Sequence, residues 1–292
     1  MQLEGIDFFK TYAPVIQWTT ARLMLILEFL LGLKSKQGDV TAAFLHADLV
    51  KDEKVFVDMP QGFEVKGKNE RPKVLKLFKM LYGLHQSPRA FWKYTIAKMK
   101  LYGMQQSNMY PCLFIGDKVI SIIYVDDILF WSVDENNIHD LAMNLRLQGV
   151  DLEQEDDATG FLCVTLGCDE ATGLMEMKQV GLIYRVIKTL VLDNGMEKNK
   201  YTPFESSSLV KDADGPTACD SFSYSSVVGM LLYLSGHTRP DISYAVNCCA
   251  RYMFCTKNSH ETALERIGRY LKATRNRGLI LYPYHTPKEI GV

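Results

Sequence analysis

The stretch Ile120-Ser-Ile-Ile-Tyr-Val-Asp-Asp-Ile-Leu-Phe-Trp131 decides how this chain is read. Two runs of apolar, β-branched and aromatic residues meet at the adjacent carboxylates Asp126 and Asp127. That pattern predicts two buried strands of a hairpin with the acids at the turn between them. The pair has two readings. Short acidic side chains at an exposed turn hydrogen-bond nearby backbone amides at little cost. Two carboxylates raised on a rigid hairpin also present the oxygen ligands that hard divalent cations such as Mg²⁺ prefer. The pattern alone leaves both open.

Outward from the hairpin, strands and helices mix. Upstream, Leu113 to Ile115 and Val119 to Tyr124 read as strands about the short turn Gly116-Asp-Lys118. Ser87-Pro88 opens a helix to about Leu101, with the proline where its missing N–H is harmless. Val74 to Phe78 and Lys54 to Met59 alternate as strands, and Leu33 to Val40 is short and extended, with Asp39 near its end. Thr19 and Thr20 are caps for a helix from Arg22 to about Leu31, stopped by Gly32. Downstream, Ile138 to Leu147 has apolar residues at helical spacing. The order predicts an α+β fold with a largely antiparallel sheet.

An acidic loop over Glu153 to Gly160 marks a boundary. Beyond it come a hairpin (Phe161 to Leu166 and Gly173 to Met177), a helix from Gly181 to Leu192, and a polar linker over Lys200 to Ala218. Three helices follow: Tyr224 to Ser235, Asp241 to Phe254 capped by Asp241, and His260 to Ala273 capped by Ser259. The second part is thus read as mostly helical.

Composition is ordinary for a globular chain: 292 residues, 47% hydrophobic, 23% charged and a formal net charge of −1. The charge is segregated, however. Residues 66 to 100 hold ten Lys or Arg against Glu70 alone, and residues 251 to 277 hold seven against Glu261 and Glu265. Between Asp134 and Asp157 eight acids face Arg146. Solvated helix faces explain such runs, and so does a surface with one phosphate-facing side. The seven scattered cysteines form no CxxC pair or zinc-type cluster. With no signal peptide, they point to reduced thiols and an intracellular setting. The longest apolar run, Leu23 to Leu33, is too short to span a bilayer, so no membrane partner is expected.

A catalytic reading of Asp126 and Asp127 requires a third oxygen ligand, for which Asp39 is the candidate. Nucleotidyl transfer by two metals uses carboxylates that bridge cations roughly 3.5–4 Å apart, one ion activating a 3′-hydroxyl and one steadying pyrophosphate. Other acids read more plainly. Asp156-Asp157 belongs to a solvated loop, Asp48 is a surface acid about two helical turns beyond Asp39, and His237 beside Arg239 suits packing before Asp241 as well as phosphate contact.

Six motifs occur in order: Lys10-Thr-Tyr-Ala-Pro-Val15, the stretch from Gly38-Asp-Val-Thr-Ala-Ala-Phe44 to Leu49, Met59-Pro-Gln-Gly-Phe63, Leu81-Tyr-Gly-Leu-His-Gln-Ser-Pro-Arg-Ala90, Tyr124-Val-Asp-Asp127 and Gly236-His-Thr-Arg-Pro-Asp-Ile242. Together they resemble the reverse transcriptase of copia-type (Pseudoviridae) LTR retrotransposons over essentially the whole chain. The resemblance implies an RNA-directed DNA polymerase with a right-hand palm, an antiparallel sheet packed on helices. Residues 1–160 would be partial fingers and palm. Residues 161–292 would be a primer-grip hairpin, thumb and connection-like helical region. The catalytic and metal-holding residues would be Asp39, Asp126 and Asp127, with two Mg²⁺ or Mn²⁺ ions. Phe44 falls where the family stacks an aromatic under the incoming sugar, although its spacing equally suits a core Phe. Tyr82, Gly83 and Gln86 would line the nucleotide side. Lys76, Lys79, Arg89 and Lys93, with Leu162 and Cys163 of the primer-holding hairpin, would contact nucleic acid. The implied partners are an RNA or DNA template with a DNA primer, and dNTPs. A cytoplasmic retroelement particle is the implied location, with the nucleus as the other. The sequence is silent on oligomeric state.

The chain departs from the family in three places. Fingers strands whose basic residues grip the triphosphate usually precede the TYAPV region, and an RNase H domain usually follows; neither falls within these residues. Cys163 stands where family members often have Gly. A carboxylate site with an incomplete triphosphate grip is therefore expected, and the isolated chain is expected to be weakly active or inactive. The alternative is a non-catalytic remnant that at most binds primer–template.

Overall fold

A computed structural model describes residues 2–49, 53–67, 71–155, 160–161, 164–169, 174–193, 198–205, 209–219 and 221–282. The chain divides into two compact units, one over residues 1–158 with 291–292 and the other over 159–290.

The first unit begins with α1 (Trp18–Leu31) and β1 (Lys34–Val40), followed by a 3-10 turn at Ala43–His46. Next come the short pair β2 (Phe56–Asp58) and β3 (Val74–Lys76), then α2 (Ser87–Leu101), β4 (Gln105–Gln106), β5 (Leu113–Ile115), β6 (Ile120–Tyr124), β7 (Asp127–Ser132), α3 (Glu135–Leu147) and β8 (Leu152–Glu155). Six strands form one antiparallel sheet in the order β4-β5-β6-β7-β1-β8. Side chains alternate across the sheet. Val40, Ile123, Ile128 and Phe130 join a buried core with Phe91 and Met99 of α2 and Ile138, Leu141 and Leu145 of α3. The other face carries Ile122, Leu129 and Trp131, also buried. There the Trp131 indole N–H donates to Glu28 Oε2 of α1 at 2.9 Å, and Ser35 Oγ donates to Glu28 Oε1 at 2.7 Å.

Three local expectations change in this unit. Helix α1 starts earlier than the threonines suggest: Gln17 precedes it without a side-chain cap, and Thr20 is buried in its first turn. Its end is as read, with Gly32 at φ 61° and Leu33 N–H donating to Glu28 O. Helix α3 also starts early, because Asp134 accepts from Asn136 N and caps it. The acidic loop expected over Glu153 to Gly160 begins instead in a strand, Leu152–Glu155, paired with β1. Asp156 and Asp157 lie outside the described residues.

The second unit combines a four-stranded antiparallel sheet, order β12-β11-β10-β9, with four helices. Its elements are β9 (Gly160–Phe161), β10 (Val164–Asp169), β11 (Leu174–Lys178), α4 (Val180–Thr189), α5 (Tyr224–His237), α6 (Ser243–Ala250), α7 (Asn258–Ala273) and β12 (Leu279–Leu281), with a 3-10 turn at Pro240–Ile242. Ile183 and Val186 of α4, Leu231 and Leu234 of α5, Val246 of α6, and Leu264, Ile267 and Leu271 of α7 form its core. The predicted caps are used differently here. Asp241 binds Arg239 instead of opening a helix, and Ser259 Oγ donates to Asp212 Oδ2 at 2.6 Å from inside α7, which starts at Asn258. Strand β12 extends the sheet by pairing with β11. No helix among the described residues is long and apolar enough to cross a membrane.

Candidate active site

The hairpin β6–β7 is closed by two residues, Val125 and Asp126, since Tyr124 pairs with Asp127. Only one of the two acids is therefore in the turn; Asp127 is the first residue of β7. Val125 has φ 53° while Asp126 does not share the left-handed region, the sign pattern of a type II′ turn. A β-branched residue there is strained, and the ladders on both sides hold it in place.

Strand β1 lies beside β7 and brings Asp39 directly opposite Asp127. Val40 N–H donates to Asp126 O at 2.9 Å, which makes 40/126 a hydrogen-bonded pair and 39/127 a non-hydrogen-bonded one. Side chains approach most closely in such pairs, whose Cα atoms are about 4.5 Å apart. Asp39, Asp126 and Asp127 are all half-buried. The structure thus unites the three acids picked from the sequence at one end of the central strands. On the far side of Asp39, Glu153 of β8 is its other register partner and is exposed.

Adjacent carboxylates repel unless a cation or donors offset their charge. Gln37 supplies a donor: its Nε2 lies 3.3 Å from Asp127 Oδ1. Sequence reading passed over Gln37, although its place two residues before Asp39 on a strand was the available signal. Half-buried oxygen donors on neighbouring strands fit a hard divalent cation by their chemistry. Among the described residues, no group of three His, Cys, Asp or Glu side chains converges into a finished cage.

Beside the acids, Phe44 of the 3-10 turn meets Tyr82, ring centroids 4.6 Å apart, and Phe91 of α2 at 6.2 Å. Phe44 is half-buried against the core and Tyr82 is exposed, so the pair runs from core to surface. Gly83 takes φ 96°, a conformation that suits glycine in the loop before α2. Gln86 is 4% exposed. Its Oε1 accepts from Gln2 Nε2 at 3.0 Å and its Nε2 reaches Asp7 O at 3.4 Å, so the N-terminal segment occupies both ends of its amide.

Lys76, Lys79 and Lys93 are exposed, Lys76 standing over the Phe78 ring at 5.6 Å. Arg89 is half-buried and donates to Tyr12 O at 3.2 Å. Asp48 is exposed, as expected of a surface acid. Leu162 and Cys163 lie outside the described residues.

In the second unit, Arg239 is 1% exposed and structural. Its Nε and Nη2 grip both oxygens of Asp241 at 2.9 and 2.8 Å, and Nη1 and Nη2 reach Thr274 O and Oγ1 at 3.0 and 2.7 Å. His237 packs locally, bonding Tyr233 O and stacking on the Tyr233 ring at 4.0 Å.

An antiparallel sheet backed by helices carries one acid in a two-residue hairpin turn, a second at the start of the next strand and a third on the neighbouring strand, a set of oxygen donors whose chemistry suits divalent cations. The chain belongs to the reverse transcriptase (RNA-dependent DNA polymerase) family, whose model matches residues 1–206. It is 32% identical over 284 residues to the retrovirus-related Pol polyprotein of transposon TNT 1-94 from Nicotiana tabacum, covering 94% of this chain and 21% of that protein. With the Pol polyprotein of transposon RE1 from Arabidopsis thaliana it shares 33% over 285 residues, covering 96% and 19%. The Ty1-GR3 Gag-Pol polyprotein of Saccharomyces cerevisiae is 25% identical over 268 residues, covering 87% and 15%. The chain therefore corresponds to the reverse transcriptase domain of retrotransposon Pol polyproteins, and spans about a fifth of the length of the plant relatives.

Proposed function

We propose that this chain performs RNA-directed DNA synthesis, extending a DNA primer 3′ end with dNTPs on an RNA or DNA template. The observation that supports this reading best is the register that opposes Asp39 to Asp127 beside Asp126, in a member of the reverse transcriptase family. Asp39, Asp126 and Asp127 would hold two Mg²⁺ or Mn²⁺ ions. When bound, such ions supply Lewis acidity toward the attacking 3′-hydroxyl and the departing pyrophosphate. The remaining work belongs to the chain's own side chains. Phe44, propped by Tyr82, would give the incoming sugar an apolar floor that disfavours a ribose 2′-hydroxyl. Tyr82 and Gly83 would shape the nucleotide side, and Gln86 would fix the loop that carries them. Lys76, Lys79, Arg89 and Lys93 would track the phosphate backbone, so binding should weaken steeply with salt.

The test is primer extension on poly(rA)/oligo(dT) with Mg²⁺ or Mn²⁺, run alongside the Asp126→Asn chain. Extension that disappears in the variant supports the reading. Salt-dependent binding of primer–template with no extension by either ion, even in a longer Pol segment that adds the upstream fingers residues, overturns it and leaves a nucleic-acid-binding remnant.

A further inference from the structure

We propose that Gln37 is a positioning residue for the carboxylate pair, its side-chain amide fixing Asp127 for the uptake of divalent cations. The inference rests on the reading of Asp127 as a cation ligand. Gln37 lies on the same face of β1 as Asp39 and is the register partner of Leu129, two residues after Asp127 on β7. That diagonal separation is within reach of a long side chain. Nε2 indeed donates to Asp127 Oδ1 at 3.3 Å.

The setting makes an amide an uneconomical choice for packing alone. Gln37 is 5% exposed, and its neighbours on this face include Leu129 and Trp131, each buried to within 1%. Its Oε1 is buried and finds no hydrogen-bond partner among the described residues. A leucine or methionine would fill the space without stranding a polar atom. What glutamine adds is an N–H aimed at a carboxylate. The reverse orientation would set Oε1 against Asp127 Oδ1, two oxygens facing each other, so the observed orientation is the one that makes a hydrogen bond. The hydrogen bond holds Asp127 Oδ1 toward β1, against the repulsion that neighbouring carboxylates exert on each other.

Gln37→Leu and the longer Gln37→Met remove the donor and the stranded oxygen together. Parent and variant chains are compared by three measurements: thermal midpoint in EDTA, Mn²⁺ binding by EPR titration, and steady-state primer extension. The expected result is an unchanged or higher midpoint, Mn²⁺ bound about tenfold more weakly, and kcat lowered about tenfold with KM for primer–template unchanged. Variants that bind Mn²⁺ and extend primer as the parent does overturn the proposal, as does a midpoint that falls in both, which would make Gln37 a packing residue. Asp127→Asn serves as the reference. If it leaves Mn²⁺ binding intact, the metal reading of the acids fails and the proposal fails with it. If it abolishes binding while both Gln37 variants match the parent, only the role of Gln37 is refuted.

Discussion

Asp39 and Asp127 form the final residue pair of the ladder between β1 and β7, two like charges set opposite each other without a backbone hydrogen bond joining them. Opposed like charges on a sheet destabilise it by roughly 0.2–1 kcal/mol. Asp127→Asn should therefore raise the thermal midpoint in metal-free buffer while lowering primer extension on the order of a hundredfold. Calorimetry in EDTA and a single-nucleotide extension assay check the two halves. A variant that melts lower and extends normally would show that the pair is structural.

Val125 offers a test in the opposite direction. Left-handed backbone costs an ordinary L-residue roughly 1–2 kcal/mol, and asparagine tolerates it better. Val125→Asn should stabilise the first unit by about 1 kcal/mol, read from urea midpoints. No gain, or a loss, would mean that the half-buried valine side chain contributes more by packing than its φ of 53° costs.

Arg239 is the fastening point of the second unit. Lysine has no planar fork to satisfy Asp241 and Thr274 together, so Arg239→Lys should destabilise by about 3 kcal/mol despite keeping the charge. Burial works against the Asp241 carboxylate, but Arg239 and Tyr270 together hold its pKa below the usual 3.8. A depressed folded pKa stabilises above the unfolded value and is lost as pH falls through the folded one. The variant should therefore lose its deficit progressively below about pH 4. A deficit that stays constant into acid would sever the link to Asp241.

Glu28 has the reverse sign. Burial raises its pKa above 4.5, outweighing the hydrogen bonds from Ser35 and Trp131 and the nearby Lys34. The folded chain then keeps a proton that the unfolded chain has released. This contribution is complete below about pH 4.5 and is lost as pH rises through the raised folded value. Glu28→Gln should flatten the urea-midpoint profile over that window. A slope of equal size in the variant would place its origin elsewhere.

Much of this site could be read from the chain because its elements announce themselves. Apolar β-formers on both sides of Tyr124-Val-Asp-Asp127 gave the hairpin, and alternation placed Asp39 on a strand end. The turn was misplaced by one residue, since nothing in local preference puts valine at positive φ; the paired strands impose it. Strand β8 was hidden because Leu152-Glu-Gln-Glu155 is polar, as edge strands often are. The role of Arg239 was not legible, because the fold brings Thr274, 35 residues later, against it. Gln37 was missed for a related reason: its partner lies 90 residues away on another strand.

The two-residue closure between Tyr124 and Asp127 also bears on how this locus can change over time. Side chains on a strand alternate, so one residue gained or lost there would turn Asp127 toward the helices and away from Asp39. Replacing Val125 leaves that parity untouched, whereas replacing Asp126 removes one of the acids. Two residues gained would restore the parity but move the acid by nearly 7 Å along the strand. Chain length at this point is therefore constrained more tightly than the identity of Val125. Indels in the hairpin, as well as loss of an acid, should separate disabled copies from working ones.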